Sequence, residues 1–402
     1  MKILVNCDRY PWPLDNGQNL RIWHYVKALR GRHEFDLVCW GEEPVPENVA
    51  SLFGRVHVFA TPPLPNAPGI VGRLRDSLDY RRMIPVSAPM QECIEHLLAT
   101  GGYDLLWMSG WDTVTSLPKP VPCAWLADIV DDGLLEYGRE LRAAPGLVRK
   151  LRLAKRWLQI FQVERHYFGA ADACVVVSEV DAASLARACP RTPIHALPNG
   201  VDADFFAPLG LPEEAETLVF EGRMDFPPNV DAVLWFVAEV LPLVQRQRPG
   251  VKFWAVGNKP APEVLALAGD AVTVTGWVDD VRPWLDRAAL FVAPMRMGAG
   301  IKNKVLQAWA MGKAVVATPA AIGGLLAEPG ANLEVAEGAE ALAERIVQLL
   351  QDRERRTALG RAARATIEAH YTWARRAEAL AEVMQDAVAR RSGRAALKVA
   401  HA

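Results

Sequence analysis

The sequence feature that most constrains the fold is an apolar run, a glycine-bearing loop, a helical stretch and a second apolar run in close succession. The first run is Leu290 to Ala293, and the loop Gly298-Ala299-Gly300 follows it. Apolar side chains then recur at helical spacing from Lys304 to Met311, and Gly312 is placed to end that helix. Residues Ala314 to Thr318 form the second apolar run. The whole stretch is predicted to be a βαβ unit, which is the unit that builds parallel sheets.

The start of this predicted helix is suited to an anionic ligand. A helix that follows a glycine loop presents unpaired backbone N–H groups and the positive end of its dipole, which together favour phosphate. Lys302 and Lys304 add formal charge at the same place. An ordinary turn with solvated lysines has the same local pattern, and the spacing is not a Walker or dinucleotide fingerprint. Phosphate binding and a plain turn are therefore both open from this stretch alone.

Composition limits the classes of protein to which the chain can belong. Its 402 residues and 51% apolar content are typical of a packed chain of two domains. The net charge of −2, with both signs mixed throughout, argues against a nucleic-acid partner held by bulk electrostatics. The six cysteines are widely separated and contain no C-x-x-C pair, so buried thiols are predicted rather than disulfides or metal ligands. The opening MKILVNCD lacks the apolar core of a signal peptide, so we expect a cytoplasmic protein.

The N-terminal stretch has the same strand–loop–helix–strand pattern. A strand is predicted at Lys2 to Cys7, a helix at about Asn19 to Arg30, and a second strand at Glu34 to Trp40. Gly17 lies just before the helix, so the loop aims backbone donors beyond the carboxyl end of the strand, where open α/β sheets bind ligands. A turn glycine with no ligand is the alternative.

Three carboxylates lie at or just after the end of the strand predicted from Pro122 to Val130. Asp128, Asp131 and Asp132 could bind an acceptor hydroxyl, act as a base, or cap the next helix. Capping is the favoured role for Asp131 and Asp132. Asp128 is the candidate for chemistry.

A long basic helix is predicted over residues 147–168. Arg149, Lys150, Arg152, Lys155 and Arg156 alternate there with Leu151, Leu153, Trp157 and Ile160. Basic amphipathic helices that carry aromatic residues can lie on anionic membrane surfaces. A helix with one face in the core and a charged face in water has a similar sequence. Peripheral membrane contact through this stretch is one expectation, and an ordinary surface helix is the other.

The domain boundary is predicted at a turn-rich break after Leu197. Pro198-Asn199-Gly200-Val201-Asp202 is followed by Phe205-Phe206-Ala207-Pro208, and a new series of strands and helices begins at about Thr217. We therefore predict one Rossmann-like domain over 1–207 and a second over 208–370. A helix over 371–390 is expected to pack back toward the N-terminal domain, and residues 391–402 are expected to fray.

Four motifs at matching mutual distances carry a family resemblance. They are Val176-Val177-Ser178-Glu179, Pro198-Asn199-Gly200-Val201-Asp202, Phe220-Glu221-Gly222-Arg223-Met224 and the unit from Gly300 to Thr318. Together they resemble the retaining glycosyltransferases of GT-B fold, in the large family (glycosyltransferase family 4-like) that includes sucrose synthases and mannosyltransferases. The stretches 224–232 and 300–304 resemble a bacterial branch associated with exopolysaccharide or surface-glycan assembly. The fold implied is α/β, with two Rossmann-like doubly wound domains facing an interdomain cleft.

The resemblance implies a nucleotide-diphosphate sugar bound in that cleft, mainly on the C-terminal domain. Arg223 matches the family's diphosphate-contacting arginine, and Trp277 and Val278 belong to the loop whose backbone contacts the nucleobase. Gln307 falls where the family usually has a glutamate that binds the ribose hydroxyls. The expected donor-binding residues are Gly17, Arg223, Trp277, Val278, Gly298, Gly300, Lys302, Asn303, Lys304 and Gln307, and the expected catalytic residues are Arg223, Lys304 and Asp128.

The implied reaction is a hexosyl transfer with retention, in which the leaving phosphate oxygen takes the acceptor proton. The acceptor would be a glycan, a lipid-linked glycan or a small molecule. Neither a cofactor nor a metal is expected, because lysine, arginine and the helix start would neutralise the diphosphate.

Three positions depart from the family pattern. Ala299 replaces one glutamate, Gln307 replaces another, and Pro228 stands where a lysine is usual. A glutamine lacks the charge that strengthens a hydrogen bond to ribose. Two alternatives therefore stay open, namely a non-catalytic homologue that acts as a scaffold or activator of a partner enzyme, and a sugar-nucleotide epimerase.

Overall fold

The computed structural model describes residues 1–14, 16–63, 80, 84–130, 132–297 and 300–400. Of residues 136, 143 and 395–400 it describes the backbone alone. The chain divides into two compact units. Unit 1 comprises Met1–Asn199 and Trp373–Ala402, and unit 2 comprises Gly200–Thr372.

Unit 1 is built on a seven-stranded parallel sheet with the order β3-β2-β1-β4-β5-β6-β7. The strands are β1 (Lys2–Cys7), β2 (Glu34–Trp40), β3 (Val56–Phe59), β4 (Leu105–Ser109), β5 (Ala124–Val130), β6 (Ala173–Val176) and β7 (Ile194–Ala196). The central strands are near-continuous buried apolar runs, as expected for a parallel sheet covered on both faces. The strand order reverses between β1 and β4, so the carboxyl ends of these two strands form the switch point where such sheets bind ligands.

Four of the six helices that precede the C-terminal one in unit 1 begin at a residue whose side chain accepts from a free backbone N–H group. The six are α1 (Gly17–Leu29), α2 (Glu47–Ala50), α3 (Ala88–Thr100), α4 (Gly133–Ala143), α5 (Leu147–Tyr167) and α6 (Glu179–Ala188). Asn16 caps α1 by accepting from Asn19 N, and Asp132 caps α4 by accepting from Leu134 N. The capping role predicted for Asp132 is therefore confirmed. Asp131 lies outside the described residues.

The C-terminal helix α14 (Trp373–Ala400) belongs to unit 1 and packs against α1. The rings of His24 and Trp373 stack with centroids 4.7 Å apart, and Arg32 pairs with Glu378 at 2.8 Å. The helix continues past the predicted end at residue 390, where fraying was expected. Arg394 explains part of this difference, since its Nη1 lies 3.1 Å from Asp172 Oδ1.

Unit 2 contains a six-stranded parallel sheet with the order β10-β9-β8-β11-β12-β13. The strands are β8 (Glu214–Glu221), β9 (Lys252–Val256), β10 (Val272–Val274), β11 (Ala288–Ala293), β12 (Val315–Ala317) and β13 (Glu334–Val335). The order reverses between β8 and β11, so the switch point of this sheet lies at Gly222 and at the loop that follows Ala293. The predicted βαβ unit is β11, helix α11 (Asn303–Ala310) and β12.

The other helices of unit 2 are α7 (Pro227–Trp235), α8 (Leu241–Gln247), α9 (Pro262–Leu265), α10 (Arg282–Arg287), α12 (Ala339–Gln351) and α13 (Arg353–Thr366). A π-helical turn, Phe236–Val240, joins α7 to α8. The resulting stretch Pro227–Gln247 is, among the described residues, the one helix long and apolar enough to cross a membrane. Its buried side chains, such as Phe236 and Val244, lie in the core of unit 2, and this packing accounts for its apolar character.

The division between the units lies at 199/200, eight residues before the predicted boundary. Val201 N donates to Tyr371 O at 2.7 Å. Arg364 Nη1 donates to the carbonyl oxygens of Ala203 and Phe206 at 2.9 and 2.8 Å. These bonds attach the turn-rich segment 200–207 to unit 2, which the sequence break did not reveal.

Candidate functional site

Two glycines bring the tips of β8 and β9 together at the switch point of unit 2. Gly222 follows β8 with φ 150°, and Gly257 follows β9 with φ 145°. A Cβ on Gly257 would lie 1.9 Å from Gly222 O, so Gly257 has no room for a side chain beside the tip of β8. Gly222 N donates to Val256 O at 3.0 Å. The close approach leaves a small space above β8, which a lysine side chain enters from α11.

That lysine is Lys304, in the first turn of α11. Its ammonium donates to Glu221 O at 2.8 Å and to Asn229 Oδ1 at 2.7 Å. It also lies 4.0 Å from the centre of the Phe220 ring. An ammonium has three N–H donors, so these two bonds leave the third for a ligand. A Cβ on Gly222 would lie 2.6 Å from Lys304 Nζ, which explains the need for glycine there.

Burial lowers the pKa of Lys304 to about 8. The neighbouring Glu221 carboxylate opposes this shift, and the Lys302 charge adds to it. Burial likewise raises the pKa of Glu221, and the Lys304 charge opposes that shift. The site therefore holds a partly desolvated ammonium that loses its proton more readily than an exposed one, and an incoming anion would stabilise the charged form.

Arg223 is linked to Lys304 through one amide side chain. Asn229 Nδ2 donates to Arg223 O at 2.8 Å, while its Oδ1 accepts from Lys304. The Arg223 guanidinium itself pairs with Asp225, with Nε 3.0 Å from Oδ1. Both side chains of this pair are more than one third exposed. A pair exposed to this degree contributes little to stability, so the guanidinium can turn to another anion at small cost.

The N-terminus of α11 carries the remaining predicted phosphate ligands. Lys302 occupies the N-cap position without a side-chain bond to the first turn, and its Nζ donates to Gly300 O at 3.0 Å. Gly300 has φ 65°, a conformation that favours glycine. Gln307 lies one turn beyond Asn303 and Lys304 on the same helix, so its side chain neighbours each of theirs on the helix surface. Gly298 and Ala299 lie outside the described residues.

The predicted nucleobase loop follows β10 at the same edge of the sheet. Thr275 Oγ1 accepts from Gly257 N at 3.2 Å and donates to Gly276 O at 2.8 Å, which ties the loop to the tip of β9. Trp277 is 72% exposed, and Val278 packs partly against the core. The structure therefore places Arg223, Lys304, Lys302, Gly300 and the Trp277 loop at one edge of unit 2.

Asp128 does not have the expected role. Its carboxylate is fully buried and accepts from Arg21 through both oxygens, at 3.2 Å from Nε and 3.0 Å from Nη2. Arg21 Nη1 also donates to Leu197 O at 2.7 Å. A carboxylate fully engaged by a buried guanidinium has no oxygen directed at an acceptor. We therefore correct its predicted catalytic role to a structural one that ties α1 to β5.

Gly17 lies in unit 1, beside a cavity of about 430 Å³ at the carboxyl ends of β1, β4 and β5. Polar side chains that line it include Asp8, Arg9 and Asp112, and its apolar walls include Trp111 and Tyr137. Gly17 thus lines a cavity of unit 1, whereas the other predicted donor-binding residues belong to unit 2. Val130 also lines the cavity, with φ 67° at an irregularity in β5, which is a strained conformation for a β-branched residue.

Glu164 is the titratable group most strongly shifted at this cavity. Burial, together with the nearby Asp132 carboxylate, raises the pKa of Glu164 to about 10. The side chain is 3% exposed and lines the cavity wall. Glu164 is therefore protonated at neutral pH, and it can donate a hydrogen bond as well as accept one.

Sequence reasoning missed Asn229, Gly257 and Glu164. Asn229 lies in the motif that resembled the bacterial branch, yet an amide on a helix gives no sign of its partner 75 residues away. Gly257 had the signal of a glycine directly after a strand. Glu164 had no signal, because its shifted pKa arises from packing. Within the described residues, no three His, Cys, Asp or Glu side chains are grouped so that they could hold a metal ion.

Part of the chain matches a known protein family. The model of the family described as "Glycosyl transferases group 1" matches residues 215–352, which include the Lys304 site. A phosphatidyl-myo-inositol mannosyltransferase from Mycolicibacterium smegmatis is 33% identical over 189 residues, which is 44% of this chain and 48% of that protein. The match thus spans about half the length of the curated relatives.

Solved structures match over nearly the whole chain. A sucrose-phosphate synthase from Thermosynechococcus elongatus has a TM-score of 0.71 at 19% identity and covers 97% of this chain and 100% of its own. Anabaena HepE in complex with UDP and glucose has a TM-score of 0.65 at 15% identity and covers 95% of this chain and 99% of its own. The GT-B fold and the resemblance to GT-B glycosyltransferases are confirmed.

Proposed function

We propose that this chain is a retaining glycosyltransferase that moves a hexosyl group from a nucleotide-diphosphate sugar to an acceptor hydroxyl in glycan or exopolysaccharide assembly. The observation that carries the proposal is the partly buried Lys304, whose ammonium is held by Glu221 O and Asn229 at the switch point of unit 2. A partly desolvated cation beside a helix N-terminus is suited to a diphosphate. The match of residues 215–352 to the glycosyl transferases group 1 family supports the same conclusion.

Each cation has a distinct part in the proposed reaction. Lys304 donates its third N–H to a phosphoryl oxygen, and the first turn of α11 offers backbone N–H groups to the same diphosphate. Arg223 exchanges Asp225 for the diphosphate, because its present ion pair is largely exposed. Negative charge on the diphosphate grows as the sugar leaves, so groups already in position stabilise the transition state more than the ground state.

The proposed step needs no protein nucleophile. The bond between the sugar's anomeric carbon and the phosphate oxygen breaks, and a bond from that carbon to the acceptor oxygen forms on the same face. The acceptor proton moves to the departing phosphate oxygen. No step needs Asp128, which is fully engaged by Arg21.

The unit 1 cavity is the proposed acceptor site. Carboxyl groups of Asp8, Asp112 and Glu164 together with the rings of Trp111 and Tyr137 suit a hydroxyl-bearing ring such as a sugar or a cyclitol. The relative from Mycolicibacterium smegmatis is named for mannosyl transfer to a phosphatidylinositol, and HepE was solved with UDP and glucose. A glycan, a lipid-linked glycan or a small polyol is accordingly the proposed acceptor class, and the cytoplasm or its membrane surface is the proposed location.

The test is a thermal-shift panel of UDP-, GDP- and TDP-sugars, followed by turnover with the sugar that stabilises the chain. Ligand binding to the native state raises its apparent stability, so at least one sugar nucleotide should raise the Tm. Nuclear magnetic resonance of the product should show the donor's anomeric configuration, and EDTA should leave turnover unchanged. An inverted product would remove the retaining mechanism. Binding without transfer to any acceptor would favour a scaffold, and donor conversion without an acceptor would favour an epimerase.

A further inference from the structure

The first two turns of α5 project from unit 1 with apolar side chains in solvent. Every residue from Gly146 to Arg152 is exposed. Leu147 is 73% exposed, Leu151 is 62% exposed, and Leu158 in the fourth turn is 55% exposed. Leucines on an ordinary surface helix face the core, and Ile160 of the same helix does so.

The exposed leucines form one stripe along the helix. At 3.6 residues per turn, Leu147, Leu151 and Leu158 fall within about 40° of one another around the helix axis. The buried side chains of α5, which include Ile160, Val163 and Tyr167, centre about 170° away by the same count. The stripe therefore lies on the side of α5 opposite its packing face, and packing within the described part of unit 1 does not account for it.

The stretch of sequence that carries this stripe has charge of one sign. The sequence between Glu140 and Glu164 contains no acidic residue and six basic ones, Arg142, Arg149, Lys150, Arg152, Lys155 and Arg156. Lys150 and Lys155 flank the stripe on its two sides by the helix geometry. The chain as a whole carries a net charge of −2, so this local concentration of cations is not a property of its composition.

We propose that α5 docks this face on the surface of a bilayer that contains anionic phospholipid. A helix with leucines on one stripe and lysines on both flanks lies in the plane of a membrane, with the leucines among the acyl chains and the ammonium groups at the headgroups. A second copy of the chain would bring like charges together and is disfavoured. Nucleic acid would bind the cations but would leave the leucine stripe in water.

The inference does not depend on the proposed enzymatic function. If that function also holds, docking would bring an acceptor carried on a lipid close to the cavity that α5 itself lines through Ile160 and Glu164. The docking face and the cavity residues are on different turns or faces of the helix, so each can be changed separately.

The experiment is flotation of the full chain with large vesicles of phosphatidylcholine, with or without phosphatidylglycerol. The wild type should float with the anionic vesicles and remain behind with the neutral ones. Leu147→Asn combined with Leu151→Asn should weaken partitioning at least about ten-fold, because two exposed leucines lose their acyl contacts. Lys150→Gln combined with Lys155→Gln should weaken it about 25-fold, since each basic residue at an anionic surface strengthens partitioning about five-fold.

Matched variants control for surface changes elsewhere. Leu265→Asn with Leu326→Asn removes two leucines that are each 51% exposed, and Lys27→Gln with Lys252→Gln removes two exposed lysines. Both control variants should float like the wild type. Flotation of the α5 variants equal to that of the wild type, or no flotation of the wild type with anionic vesicles, would overturn the proposal. A concentration-dependent dimer that the leucine variant abolishes, with no vesicle binding, would assign the face to a second copy instead.

Discussion

Asn229 Oδ1 accepts from the Lys304 ammonium at 2.7 Å, and the same side chain donates from Nδ2 to Arg223 O at 2.8 Å. One amide thus orients the partly buried cation and fixes the loop that carries the arginine. Asn229 is 5% exposed, so solvent does not replace either bond when the side chain is removed. The proposed diphosphate site depends on this arrangement as much as on its charges.

Replacing Asn229 should therefore weaken nucleotide binding. Asn229→Leu removes an acceptor from a charged donor, a bond worth about 1.5–3 kcal/mol, so affinity for a nucleoside diphosphate should fall about 10- to 100-fold. Asn229→Asp should weaken binding further, because a carboxylate beside Lys304 neutralises the charge that attracts the ligand. Titration calorimetry with UDP, GDP and TDP measures both effects. Gln245→Leu, which removes the hydrogen bond that Gln245 of α8 donates to Val251 O, is the matched control and should bind normally.

Nucleotide affinity should fall as the pH rises through about 8. The ligand-free chain loses the Lys304 proton near that value, since burial lowers the pKa of Lys304 from 10.5 to about 8. The diphosphate binds the charged ammonium more tightly, so binding is strongest below that pH. Above it, Lys304 takes up a proton when the ligand binds. Lys304→Arg keeps its charge throughout and should give a flatter affinity profile. A wild-type profile that rises between pH 7 and 9 would contradict the assignment.

The lowered pKa of Lys304 has the opposite pH effect on the stability of the ligand-free chain. The folded chain binds fewer protons at Lys304 than the unfolded chain between about pH 8 and 10.5, so this residue's contribution to the free energy of unfolding increases with pH in that window. Urea unfolding of the wild type and of Lys304→Met, compared across the window, isolates this contribution. The variant should lack the increase.

Gly222→Ala should displace the ammonium while leaving most of the fold in place. The new methyl would lie 2.6 Å from Lys304 Nζ and 2.8 Å from Asn229 Nδ2, in a backbone conformation that alanine disfavours. We expect the free energy of unfolding to fall by about 1–3 kcal/mol and the nucleotide affinity to fall by a larger proportion. Gly269→Ala adds a methyl to a site with open space and should change neither property. Unfolding and calorimetry on the two variants make the comparison.

The Asp128–Arg21 pair should behave as a structural element. Arg21→Met leaves a buried, uncompensated carboxylate and should lower the free energy of unfolding by about 3–5 kcal/mol. Glu378→Gln breaks the exposed pair with Arg32 and should change it by less than about 1 kcal/mol. Asp128→Asn should lower the free energy of unfolding, whereas the kcat of the molecules that remain folded should change little. A folded Asp128→Asn chain with a collapsed kcat would restore the catalytic role predicted from the sequence.

Features set by neighbouring residues in the sequence were predictable, whereas features set by contacts between distant residues were not. The βαβ unit around α11 was predictable, because glycine, apolar spacing and the helix start lie within one short stretch. The role of Asp128 was not, because its partner Arg21 lies 107 residues away and a strand-end carboxylate has the same sequence context in a salt bridge as in an active site. The ends of α14 and of unit 1 depend likewise on contacts that have no counterpart in the local sequence, such as that of Arg394 with Asp172.

The most direct test of the central claim is the kcat/KM for sugar transfer by Lys304→Met, set beside that of Lys252→Met, an exposed lysine at the start of β9. We predict a loss of about 100-fold or more for Lys304→Met, the size expected when one preorganised donor to a developing negative charge is removed, and wild-type activity for the control. Urea unfolding at neutral pH should show Lys304→Met to be no less stable than the wild type. If the folded Lys304→Met chain transferred sugar at the wild-type rate, Lys304 would not bind the donor's diphosphate.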